Sequence, residues 1–280
     1  MSSCERNKNL IPSSNSEIEN NILIENKING VNIVAINSKI DSNDISPIVK
    51  LYSNSVAIVP FGFIRSGQSN VEYNLEWQWH GEKKIGTIEQ IKLAKEANLF
   101  VLLKPHLWTH DGWIGDLNFD SETEWNEFET TYTNFILDFA KLADSMKVEM
   151  LCVGVELKQV AKVRPQFWNS LIDSVRSHYS GKLTYAANWD NFSSITFWDK
   201  LDFIGIEAYF PLSESKTPTV NALLSNWKPI KDEIKSMSFR ENKPVLFTEF
   251  GYRNIDFTGK EPYKIDDNQT LNNKGQNNGY

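Results

Sequence analysis

The sequence is poor in several features at once. It has two cysteines in 280 residues, Cys4 and Cys152, too few for a disulfide framework. No run approaches the roughly 18 consecutive apolar residues of a membrane helix, so no membrane span is expected. Positive charge is in the minority: 29 Lys and Arg face 36 Asp and Glu, a formal net charge of −7. A phosphate-backbone partner needs a basic face, so nucleic acid is not an expected partner. Neither G-x-G-x-x-G nor G-x-x-x-x-G-K-[ST] occurs, which leaves no common nucleotide site. G-x-S-x-G is missing as well, and Cys152 lies in the middle of an apolar run, so nucleophilic Ser or Cys chemistry has little support. No cofactor is expected. What the chain has in excess is aromatic: nine Trp, nine Tyr and sixteen Phe. Trp is often core, but Trp on loops suits stacking against sugar rings.

Residues 5–29 are rich in Asn, Ser, Glu and Lys, with only Ile18, Ile22, Leu23 and Ile24 as a short apolar set. Residues 1–29 therefore read as a polar N-terminal tether, and 30–280 as one folded domain. The start, Met1-Ser2-Ser3-Cys4, resembles the acylation site of bacterial lipoproteins without the apolar segment that precedes it. Two locations follow: extracytoplasmic with a lipid anchor at Cys4, or cytoplasmic with an incidental thiol. A monomer is expected.

Short β-branched runs alternate with amphipathic segments. Strands are predicted at 31–36, 55–60, 99–103, 149–155, 183–187, 203–206 and 244–247, all apolar on both faces as buried parallel strands are. Helical spacing links Ile85, Ile88, Ile91, Leu93 and Ala94. It links Trp125, Phe128, Tyr132, Phe135, Ile136, Phe139 and Leu142, and again Phe167, Trp168, Leu171, Ile172 and Val175. Gly181 falls where a C-cap glycine of that last helix is expected. The strand-to-strand step of about 36 residues suits a (β/α)8 TIM barrel with sizeable loops. One more step after Val245 falls just past Tyr280, so the expected fold is an α/β barrel lacking its eighth strand and helix.

Chemistry in such a barrel sits at the C-terminal ends of the strands. The fourth strand ends in Gly154-Val155-Glu156-Leu157 and the seventh in Thr248-Glu249-Phe250-Gly251. Either Glu could be structural, paired with an Arg or Lys in the barrel mouth. Two of them on strands four and seven face each other across an eight-strand ring, as the two carboxyl groups of glycoside hydrolysis must. The third strand end contributes His106, Trp108, His110, Asp111 and Trp113, the fifth Asn188, Trp189 and Asp190, the sixth Glu207 and Tyr209. This mixture of indoles and hydrogen-bonding groups suits a hydroxyl-rich ring. A metal held by His106, His110 and Asp111 is the weaker reading, since spacing of four aligns ligands on a helix and Pro105 disfavours one here.

Taken together, several segments resemble family 113 of the glycoside hydrolases. They are Leu102-Leu103-Lys104-Pro105-His106, Val153-Gly154-Val155-Glu156-Leu157, Thr184-Tyr185-Ala186-Ala187-Asn188-Trp189, Asp202-Phe203-Ile204-Gly205-Ile206-Glu207-Ala208-Tyr209 and Pro244-Val245-Leu246-Phe247-Thr248-Glu249-Phe250-Gly251. The resemblance runs from about residue 30 to about 263. It implies a (β/α)8 barrel hydrolysing β-1,4-mannosidic linkages with retention, with an oligo- or polysaccharide as partner. It implies Glu156 as acid/base, Glu249 as nucleophile and Tyr209 as the group that orients Glu249. His106, Trp113, Asn188 and Trp189 fall where sugar-binding residues of such barrels lie. Val155 stands where many members of the wider clan have Asn, so Asn188 is the candidate for the substrate 2-hydroxyl. Two other readings remain open at this point: a β-glycosidase on glucan or xylan, and a non-catalytic carbohydrate-binding barrel.

Overall fold

The computed structural model describes residues 27–264, 270–272 and 274. The expectations for Cys4 and for the apolar set at 18–24 lie outside these residues. In chain order the elements are β1 (Gly30–Ile33), α1 (Ser42–Lys50), β2 (Ser55–Ile58), β3 (Phe61–Ile64), β4 (Glu72–Tyr73), α2 (Lys84–Glu96), β5 (Phe100–Leu103) and β6 (His106–Thr109). They continue with α3 (Glu122–Ser145), β7 (Met150–Val155), α4 (Lys158–Val163), α5 (Pro165–Arg176), β8 (Lys182–Asn188), β9 (Phe203–Glu207), α6 (Val220–Glu241) and β10 (Val245–Glu249). Seven strands make one parallel sheet in the order β1-β2-β5-β7-β8-β9-β10, the arrangement of a (β/α)8 TIM barrel without its final unit among the described residues. The two ends of that order approach each other, since Asn32 Nδ2 on β1 donates to the Thr248 carbonyl on β10 at 3.3 Å.

All seven predicted strands are present, and β2, β5, β7, β8 and β9 are buried on both faces. One face fills the barrel interior with Ala57, Leu102, Met150, Cys152, Val155, Ala186 and Phe203. The other packs on the helices, which bury Phe128, Tyr132, Phe135 and Phe139 of α3 and Trp168, Leu171 and Ile172 of α5. Burying each such side chain contributes about 1.5–3 kcal/mol. A capping box starts α3: Ser121 Oγ accepts from the Glu124 N–H, and the Glu124 carboxylate accepts from the Ser121 N–H. Gly154 makes room for Trp168, whose ring would lie 2.5 Å from any Cβ there.

Three expectations need correction. The first strand stops at Ile33, and Val34 is exposed, because β1 lies at the end of the ladder with one neighbouring strand among the described residues. The helix before the third strand is present, but its Ile85 is exposed, and Ile91 and Ala94 carry the buried face. Gly181 is not a C-cap: α5 ends on Ser177, and Gly181 is small because the Tyr179 ring occupies the space of its side chain. Past Pro105 the chain runs on as a strand. The Lys104 N–H donates to the Ile58 carbonyl and the His106 N–H to the Pro60 carbonyl, at 2.8 and 2.9 Å. The pairing of β2 with β5 thus runs on as β3 with β6. Pro105 is tolerated because its missing N–H falls at the position that would face away from this ladder. With β4 these strands form a second, three-stranded sheet, β4-β3-β6, standing over the barrel mouth. Among the described residues no helix is long and apolar enough to cross a membrane.

Candidate active site

Glu156 and Glu249 each follow a disturbed strand end. The register of β7 against β8 shifts between Cys152 and Val155, and that of β10 against β9 between Phe247 and Glu249. Such irregularities re-aim the side chain that follows. Glu156 itself has φ of +54°, a left-handed conformation that costs a non-glycine residue of order 1 kcal/mol and clusters at functional sites. Its backbone is fixed by N–H donation to the Ala186 carbonyl at 2.8 Å.

The two carboxyl groups have opposite surroundings. Burial raises the Glu156 carboxyl above its ordinary range. Trp113 opposes this through an indole N–H donated to Oε2 at 3.2 Å, and the charge of Glu249 adds to the rise. Burial acts on Glu249 in the same direction but is outweighed. The Lys104 ammonium is ion-paired and hydrogen-bonded to its Oε1, and Tyr209 donates its phenol to Oε2 at 2.8 Å, so Glu249 is held below its ordinary range. Tyr209 keeps its proton, because burial and then the charge of Glu249 raise it. The surroundings thus push the two carboxyl groups apart, Glu156 toward its protonated form and Glu249 toward its ionised form, the separation that acid/base chemistry uses.

Lys104 also reaches Glu207 Oε1 at 3.2 Å. Its side chain is fully buried, that of Glu207 is 2% exposed and that of Glu249 27%. One ammonium faces two carboxyl groups. The negative charge settles on the wetter Glu249, and burial raises Glu207, whose Oε2 finds no hydrogen-bond partner among the described residues. An ionised oxygen in that position would cost far more than a protonated one. Sequence reasoning does not single out Lys104. Its one signal is a lysine wedged between an apolar strand and a proline, where a buried cation needs a carboxylate partner.

The other expected residues fall as follows. His106, on β6, is held neutral, its imidazole lowered to about 4 by burial and then by the Lys104 charge. Trp113 stands at the mouth beside Glu156. Asn188 ends β8, and its amide donates to Asp190 at 2.9 Å; Asp190 in turn is paired with Lys158. Trp189 is set apart from the carboxyl pair's direct partners and stacks on Tyr263, with ring centroids 6.0 Å apart. His110 packs edge-on to Trp108, and Asp111 accepts from Ser66 Oγ and the Gly67 N–H. Among the described residues no group of three His, Cys, Asp or Glu is arranged to hold a metal ion.

The Glycoside Hydrolase Family 113 model matches residues 38–280. A solved family 113 β-mannanase from Alicyclobacillus acidocaldarius, in complex with ManMIm, superposes with a TM-score of 0.78 at 22% identity, over 89% of this chain and 78% of that one. A second family 113 β-1,4-mannanase gives 0.74 at 24%, over 90% and 81%. More distantly, a structure of fungal β-1,4-galactanases gives 0.51 at 14%, over 74% and 65%. A search of the curated proteins gives no match. At these identities the solved structures show the same fold, and the family model spans both Glu156 and Glu249: the chain belongs to Glycoside Hydrolase Family 113 and is a glycoside hydrolase.

Proposed function

We propose that the enzyme cleaves β-1,4-mannosidic linkages in mannan or manno-oligosaccharides with retention of configuration. The observation that carries this is the pair of strand-end carboxyl groups whose surroundings push them in opposite directions, Glu156 up and Glu249 down. In the first step Glu249 attacks the anomeric carbon and Glu156 gives its proton to the departing oxygen. In the second, Glu156 takes a proton from water, which displaces Glu249. Lys104 and Tyr209 keep Glu249 ionised and aimed. His106, Trp113, Asn188 and Trp189 are the proposed sugar contacts, with Asn188 toward the 2-hydroxyl. Mannose as the sugar is supported by the solved relatives, described as β-mannanases.

Hydrolysis of mannan, glucomannan, cellulose and xylan, with the first product anomer followed by NMR, tests the reading. Mannan is expected to be cleaved fastest and to give the β-anomer first. An α-anomer would overturn the double displacement, and faster cleavage of xylan or cellulose would overturn the substrate.

A second expectation concerns pH. Activity needs Glu249 ionised and Glu156 protonated, so kcat/KM falls on the acid side as Glu249 protonates and on the alkaline side as Glu156 ionises. The Trp113 hydrogen bond favours ionised Glu156. Trp113→Phe is therefore expected to move the alkaline limb to higher pH and leave the acid limb in place. Movement of that limb to lower pH would contradict Glu156 as the acid.

A further inference from the structure

The three-stranded sheet over the mouth has one face that the carboxyl pair does not use. Its buried face, Gly62, Ile64, Leu107 and Thr109, is turned toward α3: a Cβ on Gly62 would meet Phe135 and Leu107 at 3.1 and 2.9 Å. The opposite face carries Phe61 and Phe63 of β3 and His106 and Trp108 of β6. They are paired across the ladder as Phe61 with His106 and Phe63 with Trp108. Phe61 stacks on His106 with centroids 5.4 Å apart, Phe63 lies 6.0 Å from Trp108, and Trp77 stands edge-on to Phe63 at 4.9 Å. Trp77 and Trp108 are nevertheless 56% and 43% exposed, and Phe61, Phe63 and His106 are half-buried among the described residues.

Three features make the row a built site. The turn carrying Trp77 is pinned by Gln78, which is 2% exposed: its amide donates to the Phe61 carbonyl at 2.9 Å and accepts from the Leu75 N–H at 2.7 Å. The row is continuous with the catalytic mouth through His106, which feels the charges of Lys104 and Glu249. It is bordered by polar groups, the Ser66–Asp111 and Arg65–Glu72 pairs, that can meet hydroxyls around an apolar ring face.

We propose that Phe63, Trp77 and Trp108 form additional sugar-stacking subsites for a β-linked glycan. The row begins at His106, two residues past Lys104, which is ion-paired with Glu249, the group that would hold the sugar left behind when the bond breaks, so these subsites are assigned to the glycone side. They extend the contacts proposed above from the reacting unit to a longer chain. The inference rests on Glu249 as nucleophile for its direction, but not for binding itself.

The test uses Trp77→Ala and Trp108→Ala in the full chain. The measured quantity is the ratio of kcat/KM on mannohexaose to that on an aryl β-mannobioside. Each substitution is expected to lower this ratio about tenfold, the scale of one lost ring contact. With the hexasaccharide labelled by ¹⁸O at its reducing end, cleavage is expected to shift toward products with fewer units on the glycone side. A ratio unchanged in both variants overturns the proposal, and a shift in the other direction overturns the glycone assignment. If none of the polymers is hydrolysed, electrophoresis through gels containing galactomannan, glucomannan or xylan decides separately. Retardation by one of them that is lost in the two variants supports the row as a glycan site. Retardation that they retain, or none with any polymer, overturns it.

Discussion

Glu249→Ala is expected to stop turnover of mannan, by about 10⁵-fold or more, the scale on which losing a covalent nucleophile acts. Glu249 is the carboxylate that the structure keeps ionised, so its removal takes away both the attacking atom and the charge facing the anomeric carbon. The small space left behind admits azide. Azide attacks the anomeric carbon from the vacated side, the departing oxygen takes the Glu156 proton, and an α-mannosyl azide accumulates. Glu156→Ala behaves differently: substrates whose leaving group needs no proton still react in the first step, and only unactivated polymer is lost. The Glu249 substitution has a pH signature as well. The charge of Glu249 raises Glu156, so without it Glu156 ionises at lower pH and the azide-rescued reaction loses its alkaline range first. Full activity of Glu249→Ala on unactivated mannan, or rescue without an azide product, would rule out the assignment.

The parts of the molecule differ in how far the sequence announces them. The seven barrel strands are legible because each must be apolar on two faces, and a run such as Leu151-Cys152-Val153 has no other use in a 280-residue acidic chain. Glu156 and Glu249 are legible because a charge directly after such a run sits at a strand end. The small sheet is hidden by Pro60 and Pro105, which read as strand stops. Whether a proline stops a strand depends on which side of the ladder its missing N–H faces, and that is settled only once the partner strand is in place. Lys104 is hidden for a different reason: its partners Glu207 and Glu249 are 103 and 145 residues away. No local pattern carries such a pairing, and a lone lysine reads as solvated. Trp77 belongs with Lys104, since the turn that holds it depends on Gln78 reaching β3.

Lys104→Met is the substitution with the largest expected effect on stability. It removes a fully buried cation and leaves two carboxyl groups facing each other. Breaking a buried pair from one side costs about 3–5 kcal/mol, and for a chain of this size Tm falls on the order of 10 °C. The sign with pH follows from both partners. Burial lowers Lys104, but the charges of Glu207 and Glu249 raise it above its ordinary value. Its contribution to stability is full below that value and is lost as pH rises through the higher folded one. Glu249 is held low, so its contribution is present above the ordinary carboxylate range and is lost as pH falls through its folded value. The pair therefore stabilises the fold across the neutral range, where the variant's deficit is expected to be largest. Activity changes separately. Without the ammonium Glu249 protonates at higher pH, and the acid limb of kcat/KM moves toward neutrality. The double variant Lys104→Met with Glu207→Gln parts the two effects: it removes the second carboxyl group that the ammonium had paired, so much of the Tm returns, while the acid limb stays displaced because Glu249 still lacks its cation. A Tm and an acid limb both unmoved in Lys104→Met would show that neither the fold nor the nucleophile draws on this ion pair. Recovery of both in the double variant would assign the ammonium to stability alone.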